Sequence, residues 1–225
     1  MSCSRQQPSL GACESSSSSS PMGITSGSVQ RQEVYHDSVD ALGMNATAPN
    51  FIVVTGLPAS GKSTIGQRIA SALSRPLIDK DDVLEALFES LGVGDDEWRH
   101  RLSRAADAVM EELARQMPSA VLVSWWRHPL SDRSSGTPTS WLRHLPGRVA
   151  EVHCACSPLV AAHRFRTRKR HDGHLDASRG TDADSEGSLS SAWPGPLRIG
   201  RFVEVNTEAD VDLPALIKEL SSVKP

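Results

Sequence analysis

Short apolar runs alternate with longer amphipathic stretches from Phe51 onward, a pattern typical of an α/β protein. The runs are mostly continuous rather than alternating, as in parallel strands that are buried on both faces. The five runs are FIVVT (51–55), PLID (76–79), AVLVS (120–124), RVAEVHC (148–154) and RFVEV (201–205). We therefore predict a sheet of five strands with helices between them.

The segments between these runs carry apolar residues at helical spacing, so each segment is predicted to form a helix that covers one face of the sheet. The predicted stripes are Ile65, Ile69, Ala72 and Leu73, then Val83, Leu84, Leu87, Phe88 and Leu91, then Trp98, Leu102, Ala105, Val109 and Leu113. Two later helices have start signals. Ser157 is a predicted N-cap followed by Pro158, and Asp212 is a predicted N-cap before Leu213.

The first 48 residues differ in composition from the rest. They include six consecutive serines at 15–20, few large apolar residues and no persistent period. We predict a disordered, low-complexity arm over residues 1–48 and a folded domain over 49–225. The arm has more acids than arginines and no apolar centre, which does not fit a transit peptide or a secretory signal. A second polar stretch, from 172 to about 199, is too long for a passive connection and predicts a mobile flap or a disordered insert.

Composition narrows the classes of function. The net charge of −3 over 225 residues gives no general cationic field, so nucleic acid is not an expected partner. No apolar run approaches the roughly 20 residues needed to cross a bilayer, and no membrane partner is expected. Four cysteines do not form a disulfide framework or a paired zinc motif, which favours a reducing cytoplasmic location.

The sequence GLPASGKST directly follows the first predicted strand and precedes a predicted helix, which is the context of a P-loop. Glycines allow consecutive backbone amides to turn inward around a triphosphate, and the helix directs its positive end to the same place. Lys62 is predicted to bind the β and γ phosphates and Ser63 to bind Mg²⁺, while Thr64 is expected to cap the helix. The candidate nucleotide-binding residues in this loop are Gly56, Ala59, Ser60, Gly61, Lys62, Ser63 and Thr64.

Other features separate the classes of P-loop protein. A GTPase would carry an Asn-Lys-x-Asp guanine reader after a late strand, whereas the fifth run is followed by NTEA (206–209). An AAA-type ATPase would end a strand with paired acids, whereas the third run ends in SWWR (124–127). Both absences favour a kinase.

The second run ends in two carboxylates, Asp79 and Asp81, at the edge of the sheet where ligands bind. Residues two apart in an extended segment point the same way, so both can face the cleft beside the P-loop. We assign Asp79 to Mg²⁺ or its waters and Asp81 to the acceptor hydroxyl as base or orienter. Asp82 is expected only to begin the next helix, where negative charge suits the helix dipole.

A dense cationic segment follows the fourth strand. The helix that begins at Ser157 is predicted to run through 163–171, HRFRTRKRH, so that Arg164 and Arg168 share one side and Arg166 and Arg170 another. Such cations can stabilise charge on a phosphoryl group in transfer. A solvated face, cations at a helix C-terminus and a surface nucleic-acid patch remain alternatives.

These motifs together, GLPASGKST, IDKDDV, RFRTRKRHDGHLD and FVEVNT, resemble the P-loop small-molecule kinase group. The group includes shikimate kinase, gluconate kinase, adenylylsulfate kinase, chloramphenicol phosphotransferase, zeta-toxin kinases and polynucleotide-kinase-like AAA family ATPases. The resemblance covers residues 51–225 and does not identify the acceptor.

The resemblance implies a three-layer fold with a five-stranded parallel sheet in the order 2-3-1-4-5, ATP with Mg²⁺, and an arginine-bearing lid at about 164–199. By position it implies Asp81 at the acceptor hydroxyl, Asp79 at the metal, and Arg164 and Arg168 near the nucleotide. Asn206 and Thr207 would lie near the base. The third strand lacks an acid that many relatives carry, which places metal binding on Ser63 and Asp79.

We therefore predict an ATP-dependent kinase that transfers the γ-phosphoryl group to a hydroxyl of a small molecule, with Lys62, Asp81, Arg164 and Arg168 as its catalytic residues. A nucleic-acid 5'-hydroxyl kinase and a non-catalytic ATP-binding regulator are the alternatives. Among other residues, one of Trp125 and Trp126 could wall the acceptor pocket, with core packing of both as the alternative. Arg127 could bind an acidic group of the substrate, and His174 is expected to be exposed.

Overall fold

A computed structural model describes residues 48–131, 134–176 and 195–222. The predicted arm at residues 1–48 lies outside the described residues except for Ala48, and residues 177–194 of the predicted flap also lie outside them. No helix among the described residues is long and apolar enough to cross a membrane.

Five parallel strands form one sheet in the order β2-β3-β1-β4-β5, which confirms the predicted fold class. Each strand lies within one or two residues of its predicted run. The strands are β1 Phe51–Gly56, β2 Leu77–Asp79, β3 Ala120–Val123, β4 Val149–Ala155 and β5 Arg201–Asn206. Because all five strands are parallel, their carboxyl ends lie at one edge of the sheet.

Helices cover both faces of the sheet and complete the three layers. The helices are α1 Lys62–Ala72, α2 Lys80–Leu91, α3 Asp96–Gln116, α4 Pro158–Thr167 and α5 Leu213–Ser221, with short 3-10 helices at Ser140–His144 and Asp172–His174. Ile69 of α1 and Leu216 of α5 pack on one face, and Met110 of α3 packs with Trp141 on the other. The helix α2 packs on α3 rather than on the sheet, through Phe88 among others.

The predicted helix starts are correct. The Ser157 side chain accepts a hydrogen bond from the Val160 amide at 3.3 Å, and Asp212 accepts one from the Ala215 amide at 3.0 Å. Each side chain satisfies an amide that has no partner within its helix.

The predicted apolar stripe on α3 is wrong by one position. The helix buries Leu102, Ala106, Met110 and Ala114, whereas Val109 and Leu113 are 41% and 37% exposed. The predicted row and the observed row both contain Leu102. The prediction selected the row with Val109 and Leu113 because their side chains are strongly hydrophobic. The row with two alanines faces the interior because small residues leave room for close packing against neighbouring elements.

The helix α4 ends at Thr167, not at His171, which corrects the predicted arrangement of arginines. Arg168 has extended backbone angles, φ −70° and ψ 146°. The Thr167 hydroxyl donates to the carbonyl of His163 at 3.0 Å, and further helix would stack like charges four residues apart. The predicted shared side of Arg164 and Arg168 therefore does not exist.

Candidate active site

The loop between β1 and α1 has the strained backbone that a phosphate cradle requires. Gly56, Ala59 and Gly61 have φ values of 138°, 59° and 89°. A Cβ atom on Gly56 would lie 2.5 Å from the carbonyl oxygen of Cys154 and 2.6 Å from Ser60 Oγ, so only glycine fits at this position. The sequence prediction of a P-loop at this point agrees with this geometry.

One polar atom in the cradle lacks a partner among the described residues. Ser60 is fully buried, and its Oγ makes no hydrogen bond there. An unsatisfied buried hydroxyl costs free energy, so this group fits a site that receives an oxygen-rich ligand. Gly61 is the N-cap of α1 and no side chain caps this helix, so the expectation that Thr64 caps it is wrong.

Lys62 points back along its own loop. Its Nζ donates to the carbonyl of Leu57 at 2.7 Å. Burial lowers the pKa of Lys62, while the carboxylates of Asp79 and Asp81 act in the opposite direction. The lysine therefore lies among the residues that the sequence assigned to the site, and a nucleotide phosphate could replace the carbonyl as its partner.

Asp79 and Ser63 come together as the prediction requires for a metal site. Asp79 is 5% exposed, its carboxylate accepts a hydrogen bond from the Asp81 amide at 3.0 Å, and the Ser63 hydroxyl lies near it. Burial raises the pKa of Asp79 to about 6, although the Ser63 hydroxyl and the Asp81 amide act in the opposite direction. A hydroxyl and a carboxylate at this edge form a hard-oxygen donor set that suits Mg²⁺.

Asp81 forms an ion pair with an arginine that the sequence analysis did not select. Arg170 Nη2 lies 2.6 Å from Asp81 Oδ2, and the same guanidinium lies 3.4 Å from Asp176. Partial burial opposes ionisation of Asp81, but Arg170, with His174 and Lys62, outweighs it and holds the pKa of this carboxyl below its usual range. The assumed helix through His171 placed Arg170 away from the cleft, so no sequence signal separated it from its neighbours.

The two selected arginines also lie at the cleft. Arg164 Nη2 donates to the carbonyl of Thr207 at 2.8 Å, and Thr207 lies beside Gly61, 3.7 Å from where a Cβ would stand. Arg168 lies over the Phe165 ring at 4.2 Å, and its charge lowers the pKa of Lys62. Both cations are thus close to the P-loop, although Arg164 lies within α4 and Arg168 lies in the extended segment after it.

The predicted base-contact residues follow β5. The carbonyl of Thr207 accepts a hydrogen bond from Arg164. The side-chain oxygen of Asn206 accepts a hydrogen bond from the amide of Glu208 at 2.9 Å. The Asn206 side chain therefore shapes the turn itself, and its contact with a base stays a prediction.

Residues 170–176, here called the docking segment, lie against α2. His174 is 1% exposed, which corrects the expectation that it is exposed. Its Nε2 lies 2.8 Å from Glu85, and His171 Nε2 lies 3.0 Å from Glu89. The segment thus contacts the helix that begins at the acidic pair.

The residues after β3 are mainly structural. Trp126 is buried, and the centroid of its ring lies 6.0 Å from that of Trp141. Its indole nitrogen donates a hydrogen bond to the carbonyl of Val54 at 2.9 Å. Trp125 is only half-buried. The guanidinium of Arg127 donates to backbone carbonyls of its own loop, at residues 134–136. The structure therefore shows Arg127 holding its own loop, and its binding to an acidic group of the substrate stays a prediction.

Comparisons with known proteins agree with this geometry. The sequence pattern of the AAA domain family matches residues 51–186, more than half of the chain. A shikimate kinase of Corynebacterium glutamicum is 45% identical over 50 residues, which cover 19% of this chain and 30% of that protein. A shikimate kinase of Corynebacterium jeikeium is 58% identical over 33 residues, 15% of this chain and 18% of that protein. The chain thus matches less than a third of the length of these curated relatives.

Solved structures extend the similarity across the fold. A protein of Chloroflexus aurantiacus J-10-fl, provisionally described as a kinase, is 27% identical with a TM-score of 0.61, covering 76% of this chain and 96% of that one. Shikimate kinase from Acinetobacter baumannii has a TM-score of 0.50 at 16% identity, covering 79% and 93%, and shows the fold alone.

The fold and the cradle are those of a P-loop protein, and the matched proteins make it similar to the small-molecule kinase group that the motifs resemble. The chain belongs to the AAA domain family. The lack of paired acids after β3, which argued against an AAA-type ATPase, therefore does not exclude the chain from this family.

Proposed function

We propose that this chain is an ATP-dependent kinase that transfers the γ-phosphoryl group to a hydroxyl of a small-molecule acceptor. The observation that carries the proposal is the convergence of the P-loop residues Lys62 and Ser63 with the acidic pair Asp79 and Asp81 at one edge of the sheet. A simple nucleotide-binding scaffold needs the cradle but has no use for a second carboxylate held beside it. The short matches to shikimate kinases support the same class of reaction.

The nucleotide would be held by the loop amides and by Lys62. The backbone of Ala59 to Gly61 presents N–H groups to the phosphates, and Lys62 exchanges the Leu57 carbonyl for phosphate oxygens. Arg164 and Arg168 lie where they can offset charge on the transferring group. Thr64, Asn206 and Thr207 stay predicted contacts to the nucleotide.

Ser63 and Asp79 would hold Mg²⁺ through their oxygens, an assignment that the proximity of the Ser63 hydroxyl to the Asp79 carboxylate supports. When bound there, Mg²⁺ would offset negative charge on the phosphate groups. Asp79 is buried and its charged form is costly without a cation, so the site is better suited to the loaded state than to the empty one.

Asp81 would meet the acceptor hydroxyl. Arg170 occupies its Oδ2, which leaves Oδ1 to accept the hydroxyl hydrogen. A carboxyl whose pKa is held low is a weak base, so Asp81 acts mainly by orienting the hydroxyl in line with the phosphoryl group. The identity of the acceptor and the cytoplasmic location stay predictions.

Acceptor screening combined with two matched variants tests this proposal. ATP consumption is measured with shikimate, gluconate, other sugars and small acids, nucleosides, antibiotics and a 5'-hydroxyl oligonucleotide. Asp81→Asn should lower kcat at least about 100-fold, with the thermal shift caused by MgATP unchanged. Asp82→Asn changes the next residue, which is exposed in the same first turn of α2, and should stay within about twofold of the unmodified protein.

Full activity of Asp81→Asn would remove that residue from the mechanism. Turnover of the oligonucleotide alone would establish the nucleic-acid alternative. MgATP binding without turnover of any acceptor would favour the regulator.

A further inference from the structure

Three acids at one-turn intervals on α2 meet three basic residues of the docking segment. Asp81, Glu85 and Glu89 are each four residues apart and share one side of the helix. They contact Arg170 at 2.6 Å, His174 at 2.8 Å and His171 at 3.0 Å, respectively. The contact nearest the cleft includes Asp81, and the other two extend along the helix away from it.

The middle contact is the most enclosed. His174 is 1% exposed, and its carbonyl accepts a hydrogen bond from Arg99 Nε of α3 at 3.0 Å. Its ring meets Phe88 edge-on at 5.6 Å, and His171 stacks on the same phenyl ring at 5.4 Å. A Cβ on Gly173 would lie 2.4 Å from Phe88, so the segment has no room to shift toward the helix. His174 is therefore fixed from α2 and from α3.

The outer contact differs in its exposure. Glu89 has a side chain that is 76% exposed, whereas the Glu85 side chain is 37% exposed. An exposed pair contributes little because water and salt screen it. The Glu89 contact thus provides a natural comparison for the Glu85 contact on the same helix.

The middle contact and the cleft contact join the same two elements. Arg170 and His174 belong to one docking segment, and Asp81 and Glu85 lie one turn apart on α2, so a segment that is held at Glu85 keeps Arg170 close to Asp81. Nothing in the proposed mechanism uses His174 or Glu85 directly. Their contact lies one helical turn from the carboxylate that would orient the acceptor.

We propose that Glu85 and His174 are positioning residues that hold Arg170 on Asp81. This inference rests on the proposed function, because it assigns a purpose to the orientation of Asp81. The pair Glu85 and His174 sets the register of the docking segment on α2, Arg170 then fixes Asp81 Oδ2, and Asp81 Oδ1 keeps a constant direction toward the acceptor.

Trypsin cleavage of the full-length protein after Arg170 measures whether the segment is held. Loss of the hydrogen bond at the middle contact should ease local opening, so Glu85→Ala and His174→Leu should accelerate this cleavage about 10-fold. Glu89→Ala, the matched control, should stay within about twofold. His174→Gln retains a donor and should restore part of the protection. Equal cleavage of Glu85→Ala and Glu89→Ala would overturn the proposal.

Kinetics separate positioning from simple packing. With shikimate or gluconate as acceptor, Glu85→Ala should lower kcat about 10-fold and leave the KM for ATP unchanged, whereas Glu89→Ala should change neither. Faster cleavage with an unchanged kcat would make the contact merely structural and refute the positioning role. If the unmodified protein phosphorylates neither acceptor, the proposed function fails for them, and proteolysis alone decides whether this pair holds Arg170.

Discussion

Asp79 combines an observed role with a proposed one. It caps α2 and lies 5% exposed beside the cradle, where we propose that it also binds Mg²⁺. The cap needs only an oxygen acceptor, whereas metal binding needs the charge. A residue that is costly to the empty fold but useful to the loaded site is typical of functional positions.

Asp79→Asn should stabilise the metal-free protein in a pH-dependent way. Burial raises the pKa of Asp79 in the folded protein to about 6, so the unfolded chain loses this proton at a lower pH than the folded protein does. The free energy of unfolding therefore falls as the pH rises from about 4 to about 7. Asparagine keeps the capping oxygen without the charge. We expect a gain of up to about 3 kcal/mol at pH 7.5, measured by urea unfolding with a chelator, that disappears near pH 4.

A loss of stability at pH 7.5 would contradict the raised pKa. A gain that persists unchanged at pH 4 would show that packing, not ionisation, is responsible.

Single residues were predictable only where local chemistry is distinctive. The P-loop glycines, Lys62 and the acidic pair follow from a motif and from its place at strand ends. Arg170 and His174 did not, because a basic segment offers many equivalent cations and only the end of α4 at Thr167 decides which of them reaches Asp81.

At the scale of elements, a polar chain joins α2, α3 and the loop after β3. Lys80 lies between Asp79 and Asp81 in sequence, and its Nζ pairs with Asp107 of α3 at 2.7 Å. Asp107 also accepts from the Thr137 hydroxyl at 2.6 Å. The turn that carries both cleft acids is therefore anchored to α3.

Breaking this pair should destabilise the protein more than removing both of its charges. The Lys80 and Asp107 side chains are 10% and 16% exposed, so Asp107→Asn leaves a buried ammonium and should cost about 3 kcal/mol. Lys80→Met combined with Asp107→Asn should return to within about 1 kcal/mol of the unmodified protein. Urea unfolding of both single variants and the double variant measures the coupling. Additive effects would show that the pair contributes no specific coupling.

Helices were predicted well at their beginnings and less well elsewhere. Ser157 and Asp212 have side chains that signal a start by themselves. The buried side of α3 depended on how closely the helix approaches its neighbours, and the end of α4 depended on a hydroxyl that bonds back to the chain. The first depends on tertiary packing and the second on a side chain that competes for backbone hydrogen bonds, and neither can be read from the spacing of apolar residues.

At the scale of the whole molecule, topology assembles the site. In the order β2-β3-β1-β4-β5, only β3 separates β2 from β1. The end of β2, with Asp79, therefore lies close to the end of β1, with Gly56. The five apolar runs predicted the strands, but their order followed from resemblance to a family and not from periodicity. Once that order is given, the cradle and the acids must meet at one edge.

The most direct test of this account is the melting temperature of the protein with MgATP. At a concentration about 100 times the Kd, binding to the native state should add about 2.7 kcal/mol and raise the melting temperature by about 5 to 10 °C. Lys62→Ala should abolish the rise, whereas Lys218→Ala, which changes an exposed lysine on α5, should preserve it. No rise with the unmodified protein, or an equal rise with Lys62→Ala, would contradict the account.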